Sequence, residues 1–157
     1  MTSPASEVLS ALAGKTLATA ESCTGGMIGE MLTAVPGSSS VYKGGIISYW
    51  SQIKQSLLGV DGEVLRKFGA VSAPVAEAMA QGARKALEAD IAVSVTGLAG
   101  PGGDDFGNPV GTVFIGYADA GKTVVQEYHF LCDRETVRRQ AAVAALEMIL
   151  KNCNRHS

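Results

Sequence analysis

The chain has 157 residues, with 13 basic and 15 acidic side chains, a net charge of −2 and 19 glycines. This length predicts one domain over residues 1–157, which should bury roughly two-thirds of its unfolded surface and fold without a metal or disulfide. Basic and acidic residues are balanced in both parts of the chain (5 and 6 through residue 80, then 8 and 9), which excludes the cationic surface of a general nucleic-acid binder.

The first elements predict a strand, a tight turn and a helix. Val8, Leu9 and Leu12 share one face of an opening helix over Pro4–Ala13. A strand over Thr16–Ala20 then runs into a glycine-containing turn, and an apolar helical pattern from Met27 to Val35 ends at Pro36. Ligands commonly bind at a strand–turn–helix arrangement of this kind.

The next segment predicts a second strand over Gly45–Trp50 that ends in two aromatic residues. Ser51 is expected to cap a short helix that carries Lys54. A longer helix is predicted over Ala73–Leu87, followed by an apolar strand over Ile91–Thr96. That strand opens into a glycine-rich loop, which indicates a second ligand-binding segment.

The last third predicts two β-runs and a helix. Gly111–Ala118 and Thr123–Phe130 are joined by a short polar turn, which is typical of an antiparallel hairpin over about 111–130. Asp133 is expected to cap the final helix, with Val137, Ala141, Ala144 and Met148 toward the core. The interleaved elements predict an α/β fold: one domain with a mixed β-sheet flanked by helices.

The chain has no pattern of a membrane or secreted protein. No apolar run approaches the roughly 18 residues that span a bilayer, and Met1–Lys15 lacks the layout of a signal peptide. Cys23, Cys132 and Cys153 are odd in number and far apart, so neither a disulfide framework nor a zinc site is favoured. We expect a reduced, cytoplasmic protein with no metal.

Residues 116–123 fit the phosphate-loop pattern G-x-x-x-x-G-K-[ST]. That chemistry needs a helix directly after the lysine, because helix amides and the helix dipole bind the phosphates. Here the following residues, 124–130, are β-branched and aromatic. A hairpin turn is therefore the preferred interpretation.

The chain has only two histidines, so a catalytic histidine base is nearly excluded. His156 lies in a polar tail, and His129 lies within a predicted strand, where a cross-strand surface or core role is the simpler interpretation. A serine activated by a neutral lysine is an alternative to a histidine base. The candidate hydroxyls are those of Ser22, Thr24, Ser38, Ser39, Ser40 and Thr96.

Tyr49 and Lys54 could point into one pocket at the end of the second strand. From spacing alone, however, an ordinary strand-end aromatic and a solvated helix lysine are the simpler interpretation. Ser22 and the turn after it could either cap the next helix or present its amides to an anion. Cys23 in that turn is a rival nucleophile, and Arg134 is a candidate anion contact because no acid lies four residues away.

Five motifs together carry a resemblance to a known family. They are Ala20-Glu21-Ser22-Cys23-Thr24-Gly25-Gly26, Pro36-Gly37-Ser38-Ser39, Gly69-Ala70-Val71-Ser72, Thr96-Gly97-Leu98-Ala99-Gly100-Pro101 and Pro109-Val110-Gly111-Thr112-Val113. In this order they resemble the CinA C-terminal domain family, whose stand-alone members are nicotinamide-nucleotide amidohydrolases. The resemblance covers about residues 6–151.

The resemblance implies hydrolysis of the carboxamide of nicotinamide mononucleotide to nicotinate mononucleotide and ammonia, without a metal or organic cofactor. It implies Ser39 as the nucleophile, with Tyr49 and Lys54, and leaves Ser22 as the alternative nucleophile. The substrate-binding positions implied are Ser22, Thr24, Gly25, Gly26, Thr96, Gly97 and Arg134. It also implies that the protein is a homo-oligomer. Its binding partner is expected to be a small phosphorylated nucleotide substrate, and neither nucleic acid nor a membrane.

Two other functions remain open from the sequence. One is a non-catalytic nucleotide-binding or interaction module related to competence or the DNA-damage response, as the wider family's name suggests. The other is an amidase of related specificity. If Lys54 acts as a base near neutral pH, its pKa must fall from about 10.4 toward 7 or 8.

Overall fold

The computed structural model describes residues 3–153, and the expected role of His156 lies outside this part of the chain. Helices and strands alternate through most of it. They are α1 (Pro4–Ala11), β1 (Leu17–Glu21), α2 (Met27–Thr33), a 3-10 turn (Ser38–Ser40), β2 (Tyr42–Ile47), α3 (Ser51–Leu58), α4 (Gly62–Phe68), α5 (Ala73–Ala86), β3 (Ile91–Gly97), β4 (Thr112–Ala118), β5 (Thr123–His129) and α6 (Arg134–Asn152).

The strands form one mixed sheet in the order β2-β1-β3-β4-β5, which confirms the predicted fold class. β1 pairs in parallel with β2 and with β3, whereas β4 pairs antiparallel with both β3 and β5. The carboxyl ends of the three parallel strands therefore meet at one edge of the sheet. In open α/β sheets this edge is where ligands bind.

Helices cover both faces of the sheet. α6 packs on β3 and β4 beside α1 and α2, while α5 packs on β1, β3 and β4 on the other face. β1 and β4 are buried along their whole length, as expected for central strands. The predicted core face of α6 is confirmed, since Val137, Ala141, Ala144 and Met148 are all buried.

The structure shifts or adds three features. β2 covers Tyr42–Ile47 rather than Gly45–Trp50; it is an edge strand with alternating burial and two glycines, so it lacks the continuous apolar signal of a central strand. Trp50, not Ser51, is the N-cap position of α3. The unpredicted α4 has only seven residues and none of them is buried, so its apolar periodicity is weak.

The phosphate-loop pattern falls on the turn between β4 and β5, so the predicted hairpin is confirmed. Asp119 Oδ1 accepts from the backbone N–H groups of Gly121 (2.8 Å) and Lys122 (2.9 Å) and closes this turn. Among the helices of residues 3–153, none has the length and apolar character needed to cross a membrane.

Candidate active site

A pocket of about 290 Å³ opens at the carboxyl edge of the parallel strands. Its walls come from the turn after β1, the β2–α3 connection with α3, the α4–α5 connection, the loop after β3 and the start of α6. Six of the expected site residues line it: Ser22, Tyr49, Lys54, Thr96, Gly97 and Arg134. Among residues 3–153, no acidic side chain lines this pocket.

Lys54 is the buried basic group of this pocket, with 1% of its surface exposed. Its Nζ donates to Ser22 Oγ (2.8 Å) and to the carbonyl oxygens of Ser48 (2.6 Å) and Tyr49 (3.2 Å). Burial lowers the pKa of Lys54 from 10.5 to about 8, because desolvation disfavours the ammonium form. The Lys54 amine is thus available as a base close to neutral pH.

Helix α3 explains why Lys54 points inward. Lys54 and Leu58 are four residues apart and are its two buried residues, while serine and glutamine occupy many of its exposed positions. Lys54 is the one charged residue of α3, and it shares the buried face of the helix with Leu58. This pattern in the sequence could have indicated a buried lysine. From spacing alone Lys54 was interpreted as a solvated helix lysine, and only the family resemblance implied a catalytic role for it.

Ser22 lies directly after β1 and is 7% exposed. Its backbone N–H donates to the carbonyl oxygen of Val95 (3.0 Å), so the pairing of β1 with β3 continues into the turn. This fixed backbone holds Ser22 Oγ against Lys54 Nζ. A hydroxyl and a buried amine at hydrogen-bond distance have the geometry of an activated serine nucleophile.

Ser39 lies away from this pair. It is exposed in the 3-10 turn that precedes β2, whereas Lys54 follows the other end of β2. The six residues of β2 extend about 20 Å, so the strand separates the two side chains within this chain. Within this chain the structure therefore does not bring Ser39 together with Tyr49 and Lys54, and it places Ser22 beside Lys54.

Tyr49 and Arg134 form the rim of the pocket. Arg134 Nη2 donates to Tyr49 Oη (3.2 Å), and Arg134 Nη1 donates to the carbonyl oxygen of Gly100 (2.5 Å). Tyr49 is 56% exposed and contacts Lys54 through its carbonyl oxygen rather than its hydroxyl. The Tyr49 hydroxyl is therefore placed beside the guanidinium and not in line between serine and lysine.

Thr96 and Gly97 build the floor of the pocket at the end of β3. The Thr96 hydroxyl donates to the carbonyl oxygen of Ala70 (2.8 Å) and ties β3 to the α4–α5 connection. A Cβ on Gly97 would lie 2.7 Å from Val113 Cγ2 and 2.9 Å from the carbonyl oxygen of Thr112. Glycine is needed there because β4 approaches closely.

Thr24, Gly25 and Gly26 do not line the pocket. One of the two alternatives for this turn was that the amides at the start of α2 are presented to an anion. In the structure, the Glu21 carboxylate accepts hydrogen bonds from three of these amides. Arg138 covers the outer side of the turn and donates to the carbonyl oxygens of Cys23 (2.9 Å) and Thr24 (3.2 Å). The structure thus gives these three residues a role in the turn itself instead of a place in the pocket.

The rival nucleophiles and bases are disfavoured. Burial raises the pKa of the Cys23 thiol to about 11, which leaves it protonated near neutral pH. His129 lies on β5, where its Nε2 is 2.7 Å from Glu127 Oε2. In residues 3–153, no group of three or more His, Cys, Asp or Glu side chains could hold a metal ion.

Known proteins resemble this chain over nearly its whole length. The family model of the CinA C-terminal domain matches residues 2–153. CinA-like proteins from Thermotoga neapolitana and a Cyanothece species are 46% identical over 138 residues (88% of this chain, 34% of that protein) and 50% identical over 137 residues (86% and 33%). The chain therefore spans about a third of the length of these curated relatives.

Solved structures share the fold. A CinA superfamily protein from Klebsiella pneumoniae superposes with a TM-score of 0.92 at 33% identity, covering 94% of both chains. A competence/damage-inducible protein from Agrobacterium tumefaciens gives a TM-score of 0.90 at 38% identity, covering 94% of this chain and 92% of that one.

Proposed function

The chain belongs to the CinA C-terminal domain family, and on this premise we propose that it is an amidohydrolase that converts nicotinamide mononucleotide to nicotinate mononucleotide and ammonia. The observation that carries the proposal is the 2.8 Å contact between Ser22 Oγ and the buried Nζ of Lys54. Serine–lysine pairs of this kind serve acyl transfer to a serine hydroxyl.

In the proposed reaction, Ser22 is the nucleophile in place of Ser39. Neutral Lys54 accepts the proton of Ser22 as Oγ forms a bond to the carboxamide carbon. The protonated Lys54 then gives this proton to the leaving nitrogen, the C–N bond breaks and ammonia departs. Water, deprotonated by Lys54, attacks the acyl-enzyme, and Ser22 recovers its proton as the acid leaves.

The lining of the pocket fits an uncharged amide joined to an anionic group. Ala70, Val71, Leu98 and Ala99 supply an apolar wall for a flat ring. Arg134 lies at the rim with a guanidinium that can bind a phosphate oxygen, and none of the described residues that line the pocket carries a carboxylate. The volume of about 290 Å³ lies at the small end of the range for ligand pockets, as expected for a small ligand.

Ammonia release tests this proposal directly. The wild-type protein should release ammonia from nicotinamide mononucleotide without added metal, Ser22→Ala should lose activity by about a thousandfold or more, and Ser39→Ala should retain it. The two variants form a matched pair, because each removes one hydroxyl.

Three results would count against the proposal. Activity retained in Ser22→Ala, or lost in Ser39→Ala, would transfer the nucleophile to another residue. A mononucleotide that binds, raises the melting temperature and remains intact would instead favour the non-catalytic module.

A further inference from the structure

Glu21 is a buried carboxylate that the proposed reaction does not use. It ends β1 next to Ser22, and only 2% of its surface is exposed. Both of its oxygens accept hydrogen bonds from the turn and from the start of α2. Oε1 accepts from Thr24 Oγ1 (2.8 Å), Gly26 N (3.1 Å) and Ile28 N (3.0 Å), and Oε2 accepts from Gly29 N (3.0 Å).

Hydrogen bonds hold the turn that carries Ser22, residues 22–24, at both of its ends. On one side, Ser22 N donates to Val95 O and belongs to the sheet. On the other side, the Glu21 carboxylate holds Thr24 and the first amides of α2, so residues 22–24 are a short bridge between two fixed ends. A negative charge at these amides also complements the positive end of α2.

The backbone of Glu21 is linked to Lys54 through Ser48. Its carbonyl oxygen accepts from Ser48 N (2.7 Å), and the Ser48 carbonyl oxygen in turn accepts from Lys54 Nζ (2.6 Å). One residue therefore contacts the turn that carries the nucleophile and the segment that holds the base. Reacting groups need to be held within about 0.5 Å of their productive geometry, and bonds of this kind provide such support.

We propose that Glu21 is a positioning residue whose carboxylate fixes the Ser22 turn so that Ser22 Oγ stays within reach of Lys54 Nζ. This inference rests on the proposed function for its activity readout. Glu21 does not line the pocket; its side chain faces a separate depression of about 270 Å³ between α2 and β2. It therefore acts through the turn and does not touch the substrate.

Glu21→Gln is the informative variant because it keeps the shape of the side chain. One oxygen becomes an amide NH₂, which places a donor against the N–H groups at the start of α2 and removes the negative charge. We expect kcat to fall by about tenfold or more while KM stays within about twofold of wild type. The pH at which activity rises should not change, because the pKa of Lys54 determines it.

Glu30→Gln is the matched control, since Glu30 lies on α2, the helix whose first amides donate to Glu21, is exposed and should leave activity unchanged. Thr24→Val is a milder variant that removes one donor to Glu21 without changing charge. It should lower kcat by about threefold and serves as the test if Glu21→Gln fails to fold. A kcat for Glu21→Gln within about twofold of wild type, or a change confined to KM, would overturn the inference.

Labelling of Ser22 by a fluorophosphonate probe separates this inference from the proposed function. The probe reacts with an activated serine and needs no amide substrate. Labelling should slow by about tenfold in Glu21→Gln and match wild type in Glu30→Gln. That pattern without ammonia release would reject the proposed function and retain the role of Glu21.

Two labelling results would overturn the inference. One is equal labelling rates for wild type and Glu21→Gln, or for wild type and Thr24→Val if Glu21→Gln does not fold. The other is absence of Ser22 labelling in wild type, because Ser22 would then not be an activated nucleophile.

Discussion

Lys54 determines the pH dependence of the proposed reaction, because only its neutral form can accept the serine proton. Its pKa is lowered to about 8 by burial, so the active form increases as the pH rises through 8. We expect kcat/KM for ammonia release to rise with an apparent pKa near 8 and then level off. Lys54→Arg should be inactive at every pH, since a guanidinium stays charged.

A pH-rate profile measured over pH 6–10 checks this expectation. A flat profile, or substantial activity in Lys54→Arg, would remove Lys54 from the role of base. Ser56→Ala is a suitable control, because Ser56 is an exposed residue of the same helix and should leave the profile unchanged.

The same lowered pKa affects stability. Between pH 8 and 10.5 the unfolded chain keeps a proton on Lys54 that the folded chain has released, so folding becomes more favourable as pH rises. Relative to Lys54→Met, the wild-type protein should gain about 2 kcal/mol in the free energy of unfolding between pH 7.5 and 10. Urea unfolding of both proteins measures this difference, and no gain would mean that the pKa is not lowered.

The site residues differ in how far the sequence could predict them. Spacing allowed Tyr49 and Lys54 to share a pocket but favoured ordinary surface roles for both, and the structure places both at the pocket. Ser39 was selected through the family resemblance, whereas the contact of Ser22 with Lys54 depends on the crossing of two distant segments. No local pattern encodes such a contact, because it arises from the pairing of β1 with β2 and β3.

At the scale of single elements, Gly97 shows how closely β3 and β4 pack behind the pocket. Gly97→Ala should lower the free energy of unfolding by about 1–3 kcal/mol, because its Cβ would meet Val113 and the backbone of Thr112. Gly102→Ala is the control, as no atom of the described residues 3–153 lies within 4 Å of a Cβ there. Thermal unfolding of both variants checks this, and equal melting temperatures would contradict the close approach.

The elements that the sequence predicted well have strong local signals. α6 has a capping aspartate and a long run of apolar residues, and the β4–β5 hairpin has a turn between two β-branched runs. β2 was misplaced by three residues, because an edge strand needs only one buried face and its limits come from pairing with β1. α4 was missed, because a short exposed helix depends on its cap at Asp61 more than on apolar periodicity.

At the scale of the whole molecule, the proposed chemistry is confined to one edge of the sheet. The β4–β5 turn contains the phosphate-loop pattern, yet it follows β4, an antiparallel strand, and does not line the candidate active site. Lys122→Ala should therefore keep kcat/KM within about twofold of wild type. A large loss in steady-state ammonia release would show that the hairpin contributes to substrate binding.

The central claim is that Ser22, activated by Lys54, carries the acyl group. Acid quenching of the protein during turnover of nicotinamide mononucleotide, followed by peptide mass spectrometry, locates any covalent intermediate. We predict an acyl adduct on the peptide that contains Ser22, absent from Ser22→Ala and present in Ser39→Ala. An adduct on Ser39, or on any residue other than Ser22, would contradict it.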